Sequence, residues 1–189
     1  MTAANRTRWT TADIALFPDD GKRYEIIDGD LIVTRAPHWN HQQIAGRIFS
    51  ALDSWSQSTG FGEAAFTPGI VFTDADNVIP DVVWVSHNAL DQLLNDAGHL
   101  TGAPELVVEV LSSVGENRRR DYQLKLKLYS QQGAQEYWIV DPERQQVQAY
   151  RREEAVLALS ATLHETDSLT SPLLPGFACP LAAVFAQRC

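Results

Sequence analysis

One carboxylate, Glu109, stands among five apolar side chains in the run LVVEVL over residues 106–111. So continuous an apolar run is typical of a strand that is buried on both faces of its sheet. An ionised carboxylate costs several kcal/mol in such a strand unless a cation, a metal ion or several hydrogen-bond donors surround it. The fold must therefore bring a partner to Glu109, and this requirement restricts how the other elements can be arranged.

Three other residues could converge on this carboxylate. Asp81 opens a second apolar run, Glu25 lies on an early predicted strand, and Lys125 lies on a helix that follows Glu109. Carboxylates grouped with one lysine are typical of metal-assisted hydrolysis. A buried ion pair between Glu109 and Lys125, without any chemistry, explains the same residues equally well. Both interpretations stay open from the residues alone.

The helix predicted over residues 118–132 gives its two lysines different environments. At 100° per residue, Lys125 falls inside the apolar arc of the helix, between Leu128 and Tyr129. Lys127 falls outside that arc. We therefore predict that Lys125 points towards the core and Lys127 towards solvent, although an inward lysine can also extend past its neighbours to reach water.

The remaining pattern alternates strands and helices in one predicted domain. No repeat or Pro/Gly/Ser-rich linker divides the 189 residues. The pattern predicts a short helix over residues 10–16, a hairpin over 24–33 that turns at Asp28-Gly29, a helix over 38–56 with His41 on its core-facing stripe, an antiparallel pair formed by strands 63–66 and 70–73, buried strands 81–86 and 105–112, a short helix over 88–94, a closing meander from 136 to 159, and a terminal helix over 180–187.

The acidic balance of the chain bears on its partners. A net charge of −9 argues against broad, non-specific affinity for nucleic acid, since that affinity comes mainly from Lys and Arg neutralising phosphates. Basic residues could still act locally, as at residues 118–120, although such a triad is usually a solvated helix start. The charge therefore counts against a nuclease without excluding one.

The number of cysteines and the hydropathy pattern indicate in which cellular compartment the protein is expected. Cys179 and Cys189 are too few for a disulfide framework or a thiolate zinc site, so both are expected to be free thiols. No stretch approaches the roughly 20 continuous apolar residues of a membrane span, and the N-terminus lacks the apolar core of a signal peptide. We therefore expect a soluble, cytoplasmic protein that does not interact with membranes.

Taken in order, these residues resemble the large bacterial Uma-two family of endonucleases, a branch of the PD-(D/E)XK nuclease superfamily. The resemblance spans nearly the whole chain. It rests on YEIIDG at residues 24–29, the helical His41, PDV at 80–82, PELVVEV at 104–110, the four-residue spacing of Asp121, Lys125 and Tyr129, EYWIVDP at 136–142, and PGF at 175–177. The resemblance implies a mixed α/β fold with a restriction-endonuclease-like core: a mixed sheet flanked by helices, with an N-terminal hairpin.

The resemblance also implies roles for the acidic residues and the lysine. Asp81 matches the aspartate of the motif and Glu109 its glutamate, so both would bind Mg²⁺ or Mn²⁺. The lysine of the motif would stand two residues after Glu109, where this chain has Leu111. Lys125 holds the place of a migrated replacement, and it would orient or deprotonate the attacking water. Glu25 would be a third ligand or an outer carboxylate, unless it is an ordinary exposed strand residue.

Two further residues have competing interpretations. His41 could bind a phosphate of the substrate or hold Glu25 in place, and a core histidine bonded to a backbone carbonyl is at least as consistent with the sequence. Asp121 fits a helix-start residue better than a metal ligand.

The function implied by the resemblance is a divalent-metal-dependent endonuclease that hydrolyses nucleic-acid phosphodiester bonds. DNA is the expected partner, and a homodimer is a further expectation. The alternative is a catalytically silent interaction or regulatory module that keeps the nuclease fold. The acidic charge and the displaced lysine favour the silent module, whereas the joint presence of both motif acids, Lys125 and Glu25 favours the nuclease.

Overall fold

The computed structural model describes residues 7–112 and 118–186, with side chains described for all of these except residues 118–121. The elements in chain order are α1 (Thr11–Ile14), β1 (Arg23–Ile27), β2 (Asp30–Thr34), α2 (Trp39–Thr59), β3 (Gly62–Phe66), β4 (Ile70–Thr73), β5 (Asp76–Val78), β6 (Val82–Ser86), α3 (His87–Leu93), β7 (Leu106–Val110), α4 (Arg118–Gln132), β8 (Glu136–Asp141), β9 (Gln146–Glu153), β10 (Val156–His164), β11 (Ser168–Leu169), β12 (Cys179–Pro180) and α5 (Leu181–Phe185).

A six-stranded sheet forms the centre of the molecule, in the order β10-β9-β8-β7-β6-β3. Neighbouring strands within this sheet are antiparallel, except that β7 and β8 run parallel to each other. A parallel pair needs a crossover connection, and the segment carrying α4 supplies it. Every residue of β7 and β8 is buried, as is most of β6, which agrees with the continuous apolar runs in the sequence.

A smaller, four-stranded sheet has the order β2-β1-β5-β4. Its first two strands form the predicted hairpin, with Arg23 opposite Thr34 and Ile27 opposite Asp30. Asp28 and Gly29 both have positive φ, as two-residue hairpin turns of this kind require. The predicted mixed sheet flanked by helices, with an N-terminal hairpin, is confirmed.

The predicted antiparallel pair of strands 63–66 and 70–73 is wrong. The first of these strands, β3, pairs with β6 at the edge of the six-stranded sheet. The second, β4, pairs with β5 in the four-stranded sheet. Thr67 has a positive φ and Pro68 follows it, so the chain leaves one sheet here and enters the other. The sequence pattern missed β5, the partner that β4 takes instead.

Two hydrophobic clusters lie on opposite faces of the six-stranded sheet. On one face, α2 and α5 pack against side chains such as Val82 and Val108. On the other face, α4 and the four-stranded sheet pack against side chains such as Val83 and Val107. Because side chains alternate along a strand, Glu109 faces the same way as Val107 and so towards α4 and the small sheet.

None of the helices in the described part of the chain combines the length and the hydrophobicity that crossing a bilayer requires.

Gly62 offers a test of the packing between β3 and β6, with Gly46 in α2 as the control. A Cβ added at Gly62 would lie 2.2 Å from the carbonyl oxygen of Val85, a backbone atom held by the sheet. Gly62→Ala should therefore lower the free energy of unfolding by about 1–3 kcal/mol. A Cβ at Gly46, inside α2, would meet no atom within 4 Å, so Gly46→Ala should raise it by about 0.5–1 kcal/mol. Urea unfolding measures both changes, and equal effects of the two substitutions would contradict this packing.

Candidate active site

Three buried carboxylates line a cavity of about 390 Å³ between the two sheets. Glu25 comes from β1, Asp81 immediately precedes β6, and Glu109 lies on β7. Their residues are only 3%, 2% and 8% exposed, respectively. The sequence-predicted acids therefore meet in one place, although they come from three separate strands.

Asp81 and Glu109 lie side by side because of the β6–β7 register. Val82 pairs with Val108 in this antiparallel ladder, so the position one step further along brings Asp81 opposite Glu109. Residues opposite each other in a sheet point to the same face. The backbone N–H of Val110 also donates a hydrogen bond to Oδ2 of Asp81, at 2.9 Å. Both carboxylates consequently face the cavity.

Lys125 joins two of the three carboxylates. Its Nζ lies 2.9 Å from Oε1 of Glu109 and 3.0 Å from Oε1 of Glu25. Lys127 is exposed, so the predicted difference between the two lysines is confirmed. The hydroxyl of Tyr129, one turn further along α4, donates to the same oxygen of Glu109 at 3.1 Å. The ion pair of the simpler interpretation is thus present, inside a larger cluster.

Glu25 is an integral part of this cluster. Besides Lys125, it accepts a hydrogen bond from the backbone N–H of Ile79 at 2.8 Å. This N–H belongs to the segment between β5 and β6, so the contact ties the hairpin to the chain that leads into the six-stranded sheet. The interpretation of Glu25 as an ordinary exposed strand residue is wrong.

Asp81 has a separate set of partners. Nη1 of Arg23 lies 2.9 Å from its Oδ1, and Nε2 of His41 lies 3.2 Å from its Oδ2. Of the alternatives considered for His41, neither a contact with Glu25 nor a bond to a backbone carbonyl is present among the described residues, and Asp81 is the partner instead. Arg23 was not predicted from the sequence; the signal was its position two residues before Glu25, which puts both side chains on one face of β1.

The carboxylates differ in their protonation. Burial, reinforced by the nearby Asp81 and Glu25, raises the pKa of Glu109 to about 7, although Lys125 opposes this shift. Burial also works to raise the pKa of Asp81, but the hydrogen bond and charge of His41, the N–H of Val110 and the charge of Arg23 outweigh it and hold that pKa at about 2. Asp81 is thus ionised across the physiological range, whereas Glu109 titrates near neutrality.

The same cluster also shifts the pKa of Lys125. Burial works to lower the pKa of its ammonium group, but the charges of Glu109 and Glu25 outweigh burial and raise that pKa. Two carboxylates therefore share one fixed lysine charge in the cavity. The Arg23 guanidinium pairs with Asp81 instead.

The hydroxyl of Tyr137 also belongs to this cavity. It is buried on β8 and finds no hydrogen-bond partner among the described residues. Burial, together with Glu109 and Asp81, raises its pKa, so the group is a neutral donor. A buried hydroxyl normally has a partner. An oxygen atom from water, an ion or a ligand in the cavity would satisfy it.

The donor set suits a hard divalent cation. Adjacent carboxylates are preferred ligands of Mg²⁺ and Mn²⁺. Among the described side chains, no group of three or more His, Cys, Asp or Glu residues is arranged to hold a metal ion. A cation here would thus take two protein carboxylates, Asp81 and Glu109, and complete its shell with water or phosphate oxygens, as Mg²⁺ commonly does.

Some sequence-predicted residues lie outside the described side chains. These are Asp121, the arginines at 118–120, and Cys189.

The raised pKa of Glu109 predicts a pH dependence of stability in metal-free buffer. The folded protein holds this proton between about pH 4.5 and pH 7, so the stabilisation is complete below that window and lost above it. Glu109→Gln has no proton to lose. Its free energy of unfolding relative to wild type should rise by on the order of 1 to 3 kcal/mol across the window. Urea unfolding of both proteins in EDTA at several pH values measures the difference.

Asp81→Asn is the companion variant, and the pH dependence of stability that it removes has the opposite sign. The contribution of Asp81 is present above its ordinary pKa of 3.8 and is lost as pH falls towards 2. Wild-type and Glu109→Gln stabilities that run parallel from pH 4.5 to 7 would refute the protonation assigned to Glu109.

Comparisons with known proteins identify the family and the fold. The family described as "Uma2: Putative restriction endonuclease" matches residues 12–182. The fold is similar to the crystal structure of a protein described as a "putative nuclease belonging to DUF820" from Anabaena variabilis ATCC 29413, with a TM-score of 0.74 and 18% identity, over 93% of this chain and 97% of that one. No curated protein matches the chain. The family match covers most of the sequence, and the chain belongs to the Uma2 family.

Proposed function

We propose that this protein is a divalent-metal-dependent endonuclease that hydrolyses phosphodiester bonds in nucleic acid, with DNA as the expected substrate. The observation that carries the proposal is the convergence of Asp81, Glu109, Glu25 and Lys125 on one cavity. Membership of a family described as restriction endonucleases supports the same chemistry.

Asp81 and Glu109 would hold Mg²⁺ or Mn²⁺. When bound, the cation supplies Lewis-acid polarisation of the phosphodiester and offsets negative charge that develops during hydrolysis. Asp81 is prepared for this role because Arg23, His41 and the Val110 N–H keep it ionised and fix both of its oxygens. The orphaned hydroxyl of Tyr137 is available to donate to a water or phosphate oxygen in the same cavity.

Lys125 would orient the attacking water. An ammonium group has three donors, and Glu109 and Glu25 account for two of them. The third remains for water or a phosphate oxygen, whose charge the ammonium also offsets. Glu25, fixed by the Ile79 N–H, is the second carboxylate that holds the lysine and so acts as an outer carboxylate.

His41 would act through Asp81. Its Nε2 contacts the carboxylate, whereas its Nδ1 is buried without a partner in the described part of the chain. This arrangement supports a role in orienting Asp81 more directly than one in binding substrate phosphate.

The homodimer and the cytoplasmic location remain predictions.

One observation favours the alternative, a catalytically silent module. Each of the three carboxylates already has partners within the protein, so the cluster could serve stability alone. Metal binding and turnover separate the two functions.

We predict that Mg²⁺ or Mn²⁺ raises the thermal midpoint of unfolding, because the ion binds only the folded state. Such binding adds about 2.7 kcal/mol to the free energy of unfolding at a free metal concentration 100 times the dissociation constant. Glu109→Gln should lose most of this shift. Glu63→Gln, which changes an exposed strand glutamate outside the cavity, should keep it. An unchanged wild-type midpoint at millimolar metal would instead favour the silent module.

We predict that Lys125→Met lowers the rate of phosphodiester cleavage by about 10²- to 10⁴-fold, since the water loses its orienting donor. Lys127→Met, two positions away on the exposed face of α4, should cleave like wild type. Cleavage of a labelled oligonucleotide mixture with Mn²⁺ gives the rates, and circular dichroism checks that each variant is folded. Lys125→Arg keeps the positive charge and serves as a second variant if Lys125→Met unfolds. A larger loss in Lys127→Met than in Lys125→Met would contradict the assigned role.

A further inference from the structure

The two oxygens of Asp81 differ in what they can still bind. Each oxygen of a carboxylate accepts about two partners. Oδ2 already has two, the N–H of Val110 at 2.9 Å and Nε2 of His41 at 3.2 Å. Oδ1 has one partner among the described residues, Nη1 of Arg23, also at 2.9 Å. A metal ion that binds Asp81 is therefore left with Oδ1, the oxygen that Arg23 contacts.

The oxygens of Glu109 are divided in a similar way. Its Oε1 lies 2.9 Å from Nζ of Lys125 and 3.1 Å from the hydroxyl of Tyr129, whereas Oε2 has no hydrogen-bond partner among the described residues. Glu109 can thus offer Oε2 to a cation and keep both of its contacts. Of the two proposed ligands, only Asp81 has its remaining oxygen occupied by a positively charged group.

Arg23 and a divalent cation would compete for this oxygen. Mg²⁺ binds a carboxylate oxygen at about 2.1 Å, which would place the ion within about 5 Å of Nη1 of Arg23. Two positive charges at this distance repel each other, and water screens them weakly because the side chain of Asp81 is only 4% exposed. The guanidinium must therefore move away when a cation takes its place on Asp81.

Arg23 has the freedom to make such a move. Its side chain is 23% exposed and lines the cavity of about 390 Å³. A guanidinium has five N–H donors, and the contact with Asp81 is its only hydrogen bond to a described residue. Space and unused donors are thus both available for a second position of this side chain.

The lining of the site indicates what Arg23 would contact in that second position. The cations Arg23, Arg35 and Lys125 all line the first cavity. A second cavity of about 450 Å³ adjoins it and shares His38 and His41 with it, but neither Lys nor Arg is among the described residues that line this second space. A phosphate is therefore expected in the first cavity. The planar fork of a guanidinium matches two phosphate oxygens, to which it can donate parallel hydrogen bonds.

We infer that Arg23 is a substrate-binding residue with two positions: it neutralises Asp81 in the metal-free protein, and it turns to the phosphate of the substrate when a divalent cation binds Oδ1. This inference rests on the proposed function, since it takes Asp81 as a metal ligand and a phosphodiester as the substrate. The exchange gives the buried carboxylate a positive partner at both stages, which avoids the cost of an unpaired buried charge.

Metal affinity tests the first position without any need for turnover. Titration calorimetry should show that Arg23→Gln binds Mn²⁺ about tenfold more tightly than wild type, because the competing charge is gone. Arg35→Gln is the matched control: it removes an exposed arginine of the same cavity that pairs with no described carboxylate, and it should change the dissociation constant by less than about twofold. If Arg23 served the structure alone, its loss would misplace Asp81 and weaken the binding of Mn²⁺. Unchanged or weaker binding by Arg23→Gln would overturn the inference.

Oligonucleotide binding tests the second position. The affinity for a labelled DNA duplex is measured by fluorescence anisotropy in EDTA and in Ca²⁺, a hard cation that also takes carboxylate ligands. The gain in affinity on adding the ion should be about tenfold smaller in Arg23→Gln than in wild type, although this variant binds the ion more tightly. Arg23→Lys keeps the charge without the fork, and it serves as the second variant if circular dichroism shows that Arg23→Gln is unfolded. It should bind Mn²⁺ like wild type and lose most of the same gain. A full gain in both variants would overturn the contact with phosphate.

The measurements also separate this inference from the proposed function. If Mn²⁺ binds neither wild type nor Arg23→Gln, both fail. If it binds wild type at least as tightly as Arg23→Gln, the inference fails and the proposed function stays intact. If it binds Arg23→Gln alone, the competition at Asp81 is supported, and the proposed metal dependence of the wild-type protein fails.

Discussion

The contact of Lys125 with two carboxylates holds the two sheets of this protein together at the site. Glu25 belongs to the four-stranded sheet and Glu109 to the six-stranded one, so a single ammonium bridges them. The pair of Arg23 and Asp81 forms a second bridge across the same boundary. Breaking a buried ion pair by removing one partner typically costs about 3–5 kcal/mol. The proposed catalytic groups therefore also carry part of the tertiary structure, and substitutions at them must be interpreted with folding measured alongside.

Burial of a carboxylate does not by itself mark a functional site, as Glu136 illustrates. This residue is fully buried at the start of β8, where it accepts hydrogen bonds from Trp138 and Ser171 and pairs with Arg151 at 3.2 Å. Its charge is matched locally and it lines neither cavity. Glu109 differs because it shares its lysine with another acid and faces open space. The distinction lies in unbalanced charge beside a cavity, which is the condition for recruiting a cation.

The sequence predicted those features that depend on local periodicity. The apolar runs identified β6 and β7, and the phase of α4 separated Lys125 from Lys127 correctly. The convergence of the site residues was expected from their chemistry and from the family resemblance, but other partners distant in the chain were not predictable from local pattern. The partner of β4 was missed because β5 is short and polar, and alternation within a strand does not identify its neighbour. Arg23 was missed because a strand arginine is usually exposed, and only the assembled sheets bring Asp81 to it.

The spacing of the site residues along the chain has a consequence for folding during synthesis. Arg23 and Asp81 are 58 positions apart, and Ile79 and Glu25 are 54 apart. Hairpins form within about 10 microseconds, whereas contacts between distant segments must first overcome the entropy of closing long loops. The β1–β2 hairpin can therefore fold early on the ribosome, but its glutamate has no lysine until α4 has been made and docked. The charged cluster is complete only when most of the chain has emerged, so assembly of the active centre is delayed until the scaffold around it exists.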